Sequence, residues 1–332
     1  MPGRLIACLS LAAGITVGAA SWTPPRTAWG DPDLQGTWPG TAMMGVPLER
    51  PPQLGDKLLL SDEEFSARAA QAQRQAAADT EEFVAPVPGA AAVLAGAGSG
   101  PPGHWGERGR PQRQTSLVVD PPNGRIPPMT ADGQKRTAAV PATLYYDNSG
   151  AGVFNGPEDL SVYDRCITRG LIGSMVAVGY NAGNQIVQGP GWVALRNEMI
   201  HEARLIPLDG RPHAPSTIRT YMGDSRGHWD GTTLVVDTTN FNGRTGVGAN
   251  GRAIYHSDAL HVRERFTRTD ADTIQYEATI DDPKTWTRPF TIAFPLKRDP
   301  SYGMFEYACH EGNYGLRNIL SAARATDRAS GR

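Results

Sequence analysis

The feature that most constrains the fold is a series of short segments rich in β-branched and aromatic residues, separated from one another by turns. These segments are Gln185–Gln188, Trp192–Leu208, Thr232–Thr239, Leu260–Thr269, Thr273–Asp281, Arg288–Lys297 and Met304–Cys309. Because no connection between them has the length and pattern of a helix, we expect neighbouring strands to pair antiparallel. Such strands close into a barrel or stack as two sheets, so the sequence predicts a mainly β fold, either a calycin-like antiparallel β-barrel or a sandwich.

A glycine-rich polar stretch, Gly223–Gly231, comes directly before the strand Thr232–Thr239. Asp, Ser and Gly favour turns, so we interpret the stretch as a turn at the mouth of the sheet. Its first five residues partly resemble the nucleophile segment of chymotrypsin-like proteases, but Arg226 stands where that segment has a glycine. We therefore reject a serine nucleophile and keep Asp224, Arg226 and His228 as polar candidates.

The chain before the strand series holds an export signal and a long arm. The first residues combine a basic residue, an apolar segment and small residues at a cleavage position. A surface helix is predicted to begin at Ser61 with a capping box and to run to about Asp79. An Ala/Gly/Pro-rich linker follows over Val84–Gln114. The predicted division is residues 1–21 as signal peptide, 22–115 as N-terminal arm, surface helix and linker, and 116–332 as antiparallel β domain with a C-terminal helix or tail.

Charge and cysteine usage restrict the partners and the compartment. The net charge of -2 gives no basic surface for nucleic acid, and no apolar run beyond the signal is long enough to span a membrane. Removal of the signal leaves Cys166 and Cys309, which we expect to form a disulfide; a metal–thiolate pair and a catalytic thiol are the alternatives. The protein is therefore predicted to be periplasmic or secreted.

Titratable side chains on the predicted strands are candidates for acid–base catalysis. The candidates are His201 as base or acid, Glu264 or Glu202 as its carboxylate partner, Arg204 or Arg265 for developing negative charge, and His228 or His310 as the second acid–base group. A metal site would need His201 and His310 to converge with other histidines, and no ligand spacing supports it. Gly246–Gly251 matches the dinucleotide-binding pattern, but no amphipathic helix follows. We expect neither metal nor cofactor.

A second set of residues is predicted to contact a small-molecule ligand. Unpaired polar groups in an apolar core are unfavourable, so polar side chains on inward faces either pair or line a cavity. The end of the strand series would also be fixed in position by the expected disulfide. The predicted ligand-binding residues are Asn197, Asp224, Arg226, Trp229, Tyr307 and Asn313.

Four strings together resemble a large group of exported proteins from environmental bacteria. The strings are Gly30–Gly36, Met199–Arg204, Gly223–Asn240 and Tyr307–Gly315. The resemblance covers nearly all of the chain after the signal except the linker. It implies export and independent folding, and it implies no substrate.

These observations leave three classes of function open. The leading hypothesis is a cofactor-independent enzyme of lyase, isomerase or cyclase type that acts by acid–base chemistry on a small, partly aromatic or apolar molecule. The alternatives are a non-catalytic ligand-binding protein of calycin type and a structural or interaction protein of the cell envelope. The catalytic hypothesis requires His201, Glu264 and His310 to face one shared cavity. A purely apolar cavity without paired titratable groups favours ligand binding, and a filled barrel without a cavity favours the structural role.

Overall fold

A computed structural model describes residues 22–79, 106–107, 109, 111–140, 154–248 and 254–331, with the exception of a few side chains such as that of His201. The predicted signal peptide, most of the predicted linker and part of the loop at 246–251 lie outside these ranges. Within them the fold is mainly β, with two antiparallel sheets and four α-helices, which confirms the mainly β part of the predicted fold class.

The smaller sheet contains four strands. In spatial order they are β1 (Gly36–Thr37), β3 (Asn184–Gly189), β4 (Trp192–Asn197) and β5 (Ala203–Pro207). Trp38 follows β1, is fully buried, and donates its indole N–H to the carbonyl of Leu34 at 2.9 Å. The guanidinium of Arg268 lies 5.3 Å from the Trp38 ring centroid. The predicted N-terminal arm is thus attached to the sheets by a strand and a buried aromatic ring.

The larger sheet contains six strands. In spatial order they are β2 (Val118–Asp120), β10 (Phe290–Lys297), β9 (Thr273–Asp281), β8 (His261–Asp270), β7 (Thr233–Thr239) and β6 (Asp224–Asp230). Two expectations are wrong. The stretch predicted as a turn is strand β6, because it pairs with β7 and only Gly231 and its neighbour turn the chain. Met304–Cys309 contains no strand.

The strand predicted over Trp192–Leu208 is broken in two. The side chains of its second half therefore face the opposite way from the predicted one. A short 3-10 turn, Met199–His201, interrupts it, with Ile200 at a positive φ of 59°. The inward and outward alternation therefore starts again after the turn. Unbroken alternation from Val193 would place Leu205 on the core face and Arg204 on the opposite face, but Leu205 is 65% exposed and Arg204 is 5% exposed.

The two sheets share one hydrophobic core. Its largest buried side chains include Phe266, Tyr276 and Phe294 on adjacent strands of the larger sheet, with neighbouring ring centroids 5.0 Å apart. Ile186 and Leu195 join the same core from the smaller sheet. β5 and β6 are the facing edge strands but are not hydrogen-bonded to each other, and no closed barrel is found in the described part of the chain.

Helices lie outside the sheets. They are α1 (Asp62–Asp79), α2 (Ala131–Ala138), α3 (Leu171–Met175) and α4 (Tyr314–Ala329). The capping box predicted at the start of α1 is present, since Ser61 and Glu64 each accept the other's backbone N–H. None of the helices in the described ranges is long and apolar enough to cross a membrane. Cys166 and Cys309 form the predicted disulfide, with their Cα atoms 5.7 Å apart.

Candidate functional site

The two facing sheet edges enclose a cleft of about 360 Å³. At Gly227 the edges approach so closely that a Cβ atom there would lie 2.9 Å from Ile206 and 2.6 Å from Leu208. The cleft lies towards the start of both strands, where Ala203 and Asp224 line it. Its main lining residues are Ile167, Thr168, Glu202, Ala203, Arg204, Leu205, Tyr221, Met222 and Asp224.

Arg204 is fixed in this cleft by a buried ion pair. Its two terminal nitrogens donate to Glu264 at 2.6 and 2.9 Å, and Tyr276 donates its hydroxyl to the same carboxylate at 3.0 Å. Burial lowers the pKa of Arg204, but Glu264 more than offsets this and holds it above its ordinary value. Among the described residues, no group accepts the Nε–H of Arg204. The sequence predicted both residues of the pair as candidates, and the structure brings them together.

Glu264 itself does not reach the cleft. Its side chain is 0% exposed and both carboxylate oxygens accept hydrogen bonds from Arg204 and Tyr276. A general base must contact the proton that it removes. Glu264 therefore positions Arg204 instead of acting on a ligand.

Glu202 is the carboxylate that borders the cleft beside Arg204. The hydroxyl of Thr168 donates a short hydrogen bond to its Oε2 atom. The same Thr168 oxygen accepts the backbone N–H of Gly170 at 3.0 Å, which fixes the hydroxyl in place. The strand break at Met199–His201 places Glu202 here, because it turns the chain just before β5.

Asp224 forms the opposite rim at the start of β6. It accepts from the backbone N–H of Ala214 at 3.0 Å and from Arg226 at 2.8 Å, and its other close partner is His213 Nδ1 at 2.9 Å. Burial raises the pKa of Asp224, but these hydrogen bonds lower it below its ordinary value. Gly223, at a φ of +69°, lets β6 begin beside the carbonyl of Thr239. Asp224 is therefore a fixed carboxylate at the cleft mouth.

Two of the predicted catalytic residues lie on the far side of the larger sheet from Glu264. Arg265 neighbours Glu264 on β8 and so points the other way; it donates to Asp230 at 3.1 Å on the solvent side. His228 is an exposed residue of β6. The predicted convergence of these two residues with Glu264 is therefore wrong, because adjacent strand residues face opposite sides of the sheet.

A second cleft, of about 330 Å³, lies beside the disulfide. Tyr307 and Asn313, both predicted to contact a ligand, line it together with Tyr163. Asn313 also caps α4 by accepting from Leu316 N, and it donates to the carbonyl of Asp164 at 2.8 Å. His310 follows Cys309 and is exposed, and it is not part of the wall of either cleft. The segment from Tyr163 to Thr168 thus supplies walls to both clefts.

Three further predicted residues lie elsewhere. Asn197 is buried in the core, where it donates to Asn184 at 2.7 Å. Trp229 packs against the core, and its indole N–H has no partner in the described part of the chain. Arg226 lies outside the cleft and donates to Asp224 and to the carbonyl of Pro212. The side chain of His201 is outside the described part of the structure, so its predicted role stays a prediction.

Sequence reasoning missed two polar residues that line the first cleft, Thr168 and Tyr221, and it missed His213, which contacts Asp224 at the cleft mouth. None belongs to a strand or to a motif, and each comes into place through a loop. A signal for His213 exists in the sequence, since the turn-forming residues Asp209–Pro212 come just before it and the next strand begins at the carboxylate Asp224. Among the described residues, no group of three or more His, Cys, Asp or Glu side chains is placed to hold a metal ion.

Comparisons with protein-family models, with curated proteins and with solved structures give no match to this chain. A functional assignment therefore rests on the geometry of the two clefts.

Proposed function

We propose that this protein binds a small, partly apolar, hydroxyl-bearing molecule in the cleft between β5 and β6. The observation that carries the proposal is that Arg204, fixed in position by Glu264, lines the cleft together with the carboxylates of Glu202 and Asp224. A guanidinium held in place in this way attracts an oxygen atom of a ligand in the cleft.

The remaining walls define the chemistry of the ligand. Glu202 and Asp224 supply carboxylate oxygens, which accept hydrogen bonds from hydroxyl groups. Ile167 and Leu205 are apolar and are 41% and 65% exposed, so they offer surface for a hydrocarbon or aromatic ring. A hydroxylated aromatic compound or a hydroxy-ketone has both kinds of group.

Acid–base catalysis in this cleft is the second candidate function. It is favoured by Glu202, whose carboxylate is held by Thr168 next to the positive charge of Arg204. A carboxylate in this position would take a proton from a carbon next to a carbonyl, and the guanidinium would stabilise the enolate oxygen. Glu264 and His310 do not line this cleft, so the predicted arrangement of His201, Glu264 and His310 around one cavity is not found. The candidate chemistry here rests instead on Glu202, one of the two carboxylates predicted as partners of His201.

The compartment is part of the proposal. The disulfide and the lack of a membrane-spanning helix in the described ranges are compatible with an exported protein. We propose a periplasmic or secreted location. A calycin-type barrel would enclose its ligand, whereas here the ligand would lie between two sheet edges.

Methionine methyl NMR tests the ligand proposal, with catechol and 4-hydroxybenzaldehyde as probes. Met222 lines the cleft and Met129 packs elsewhere against the core, so Met129 is an internal reference. We expect the Met222 resonance to move on addition of either probe while that of Met129 stays in place. An unmoved Met222 resonance with both probes overturns the proposed ligand class.

Hydrogen exchange into hydroxyacetone in D2O tests the catalytic candidate. The wild-type protein should accelerate exchange of the protons next to the carbonyl, and Glu202→Gln should reduce that acceleration by about a hundredfold or more. Glu264→Gln is unsuitable as a control because it alters the position of Arg204. Glu311→Gln, an exposed change outside both cleft walls, is the matched control and should keep the wild-type rate. Equal rates for wild type and Glu202→Gln exclude this chemistry.

A further inference from the structure

A third cavity, of about 370 Å³, lies beside α1. The helix supplies one of its walls through Arg68, Gln71, Ala72 and Gln75. These positions share one face of α1, because residues three, four and seven apart lie above one another on a helix. We call this space the arm cavity, since its other walls come from the N-terminal arm.

Arg68 is the one charged residue among the described walls of the arm cavity. Its Nη1 atom donates to the backbone carbonyls of Gln112 and Gln114, at 2.7 Å each. These two bonds hold the guanidinium in place and leave its Nε and Nη2 groups without an acceptor in the described part of the chain. Burial lowers the pKa of Arg68 below its ordinary value, and no described carboxylate offsets this. Arg68 is therefore a fixed cation with N–H donors still available.

The rest of the cavity wall is neutral, and part of it is apolar. Met44, Val46 and Pro111 supply hydrocarbon surface from the arm. The exposed side chain of Gln71 follows Arg68 by one helical turn, and its amide makes no hydrogen bond to another described residue. Such an amide can donate to a carboxylate oxygen. The arm cavity thus combines one positive charge, an amide donor and hydrocarbon, and its described walls contain no carboxylate that would repel an anion.

We propose that the arm cavity binds a small monocarboxylic acid with an apolar tail. The Nε and Nη2 groups of Arg68 form the planar pair of donors that matches the two oxygens of a carboxylate. One cation compensates one negative charge, which favours a carboxylate over a doubly charged phosphate monoester. The tail would lie against Met44 and Val46. The site shares no residue with the cleft between β5 and β6, so it is independent of the function proposed there.

Calorimetric titration with hexanoate, and with hexanamide as its uncharged counterpart, tests the proposal. We expect hexanoate to bind the wild-type protein at least about tenfold more tightly than hexanamide, because only hexanoate pairs with the charge of Arg68. Arg68→Met should remove this preference. Arg74→Met, an exposed change on the same helix outside the cavity wall, is the matched control and should keep it. Equal affinities of the wild-type protein for the two probes, or a preference that persists in Arg68→Met, overturn the proposal.

Tryptophan variants keep the test decisive if Arg68→Met fails to fold. Ala72→Trp retains Arg68 and fills the arm cavity, so it should weaken hexanoate binding by at least about tenfold. Gln73→Trp, at an exposed position outside the cavity wall, should bind hexanoate as the wild-type protein does. Ala203→Trp blocks the cleft between β5 and β6 and should also leave hexanoate binding unchanged. Unweakened binding in Ala72→Trp, or loss of binding in Ala203→Trp, would place the acid elsewhere and overturn the proposal.

Discussion

At the scale of single residues, the Arg204–Glu264 pair joins the two sheets and shapes the cleft. The pair is bidentate and almost wholly buried, with side-chain exposures of 4% and 0%. Buried pairs of this kind contribute little compared with apolar residues of the same size, but loss of one partner leaves an uncompensated charge. The main effect of the pair is therefore to fix the position of the Arg204 side chain, and its net contribution to the stability of the fold is small.

This view predicts strongly non-additive substitutions. Arg204→Met alone, or Glu264→Leu alone, should lower the free energy of unfolding by about 3–5 kcal/mol. The double variant should recover most of that loss, because neither charge is left unpaired. Urea unfolding of the three proteins measures the coupling. A double variant that loses the sum of the two single losses would show that the charges themselves stabilise the fold.

His256 gives the fold a pH dependence. It is 2% exposed, with Nε2 2.8 Å from the hydroxyl of Thr245 and Nδ1 2.8 Å from the carbonyl of Ser257. Because burial lowers the pKa of His256 below its ordinary value of 6.5, the unfolded chain takes up a proton before the folded one does as the pH falls. The stabilisation is complete above pH 6.5 and is lost as the pH falls towards the lower folded pKa.

We therefore expect the free energy of unfolding to decrease below pH 6.5, by at most about 1.4 kcal/mol per pH unit from this residue. His256→Gln should be less stable at neutral pH but should have a shallower decrease between pH 6.5 and 5. Chemical unfolding at several pH values measures both slopes. Identical slopes in the two proteins would assign the pH dependence to other groups.

At the scale of secondary-structure elements, the first cleft depends on how β6 begins. Gly223 has a φ of +69°, and a Cβ atom there would lie 2.5 Å from the carbonyl oxygen of Thr239. Gly231, at the other end of β6, has a φ of +61° but open space around it. The two glycines thus share their backbone conformation and differ in their surroundings.

Alanine at the two positions should therefore have different effects. Gly231→Ala should destabilise the protein by about 1–2 kcal/mol, the usual effect of a side chain in the left-handed region. Gly223→Ala should destabilise it by more and should also move the Met222 methyl resonance, since the start of β6 must shift. Thermal unfolding and methyl NMR compare them. Equal losses of stability in the two variants would mean that the close contact with the carbonyl of Thr239 does not restrict the side chain at position 223.

The disulfide holds two distant segments of the chain together at the second cleft. It joins residues 143 positions apart and attaches the start of α4 to the loop before α3. Replacement of Cys166 and Cys309 by serine should lower the free energy of unfolding by about 3–5 kcal/mol on the loop-entropy model. It should also raise amide exchange in α4 more than in β9. If amide exchange rose equally in α4 and in β9, the disulfide would not act mainly by attaching α4.

Several elements were predictable because their signals are local. β9 has the bounds Thr273–Asp281 that alternation and flanking turn residues predicted, and α1 begins at the predicted capping box. The break at Ile200 was not predictable, since a β-branched residue rarely adopts a positive φ and only tertiary packing holds it there. That break decides that Arg204 faces inward and Leu205 outward.

At the scale of the whole molecule, the site arises from the relation between two sheets. Arg204 and Glu264 were candidates on the basis of residue type, but their contact joins strands of different sheets. Hydrophobic alternation assigns faces within a strand and does not fix which strand edges meet. For the same reason His228 and Arg265 were grouped with Glu264, although the sheet separates them.

The central claim is that the cleft between β5 and β6 holds a small molecule, and mass spectrometry of copurified compounds tests it most directly. Ala203→Trp would fill the cleft from an exposed position, and Val187→Trp, 40% exposed on the same sheet, is the matched control. We expect a hydroxyl-bearing compound in extracts of the wild-type protein and of Val187→Trp, and its loss from Ala203→Trp. The same compound in all three extracts, or no compound in any of them, would contradict the claim.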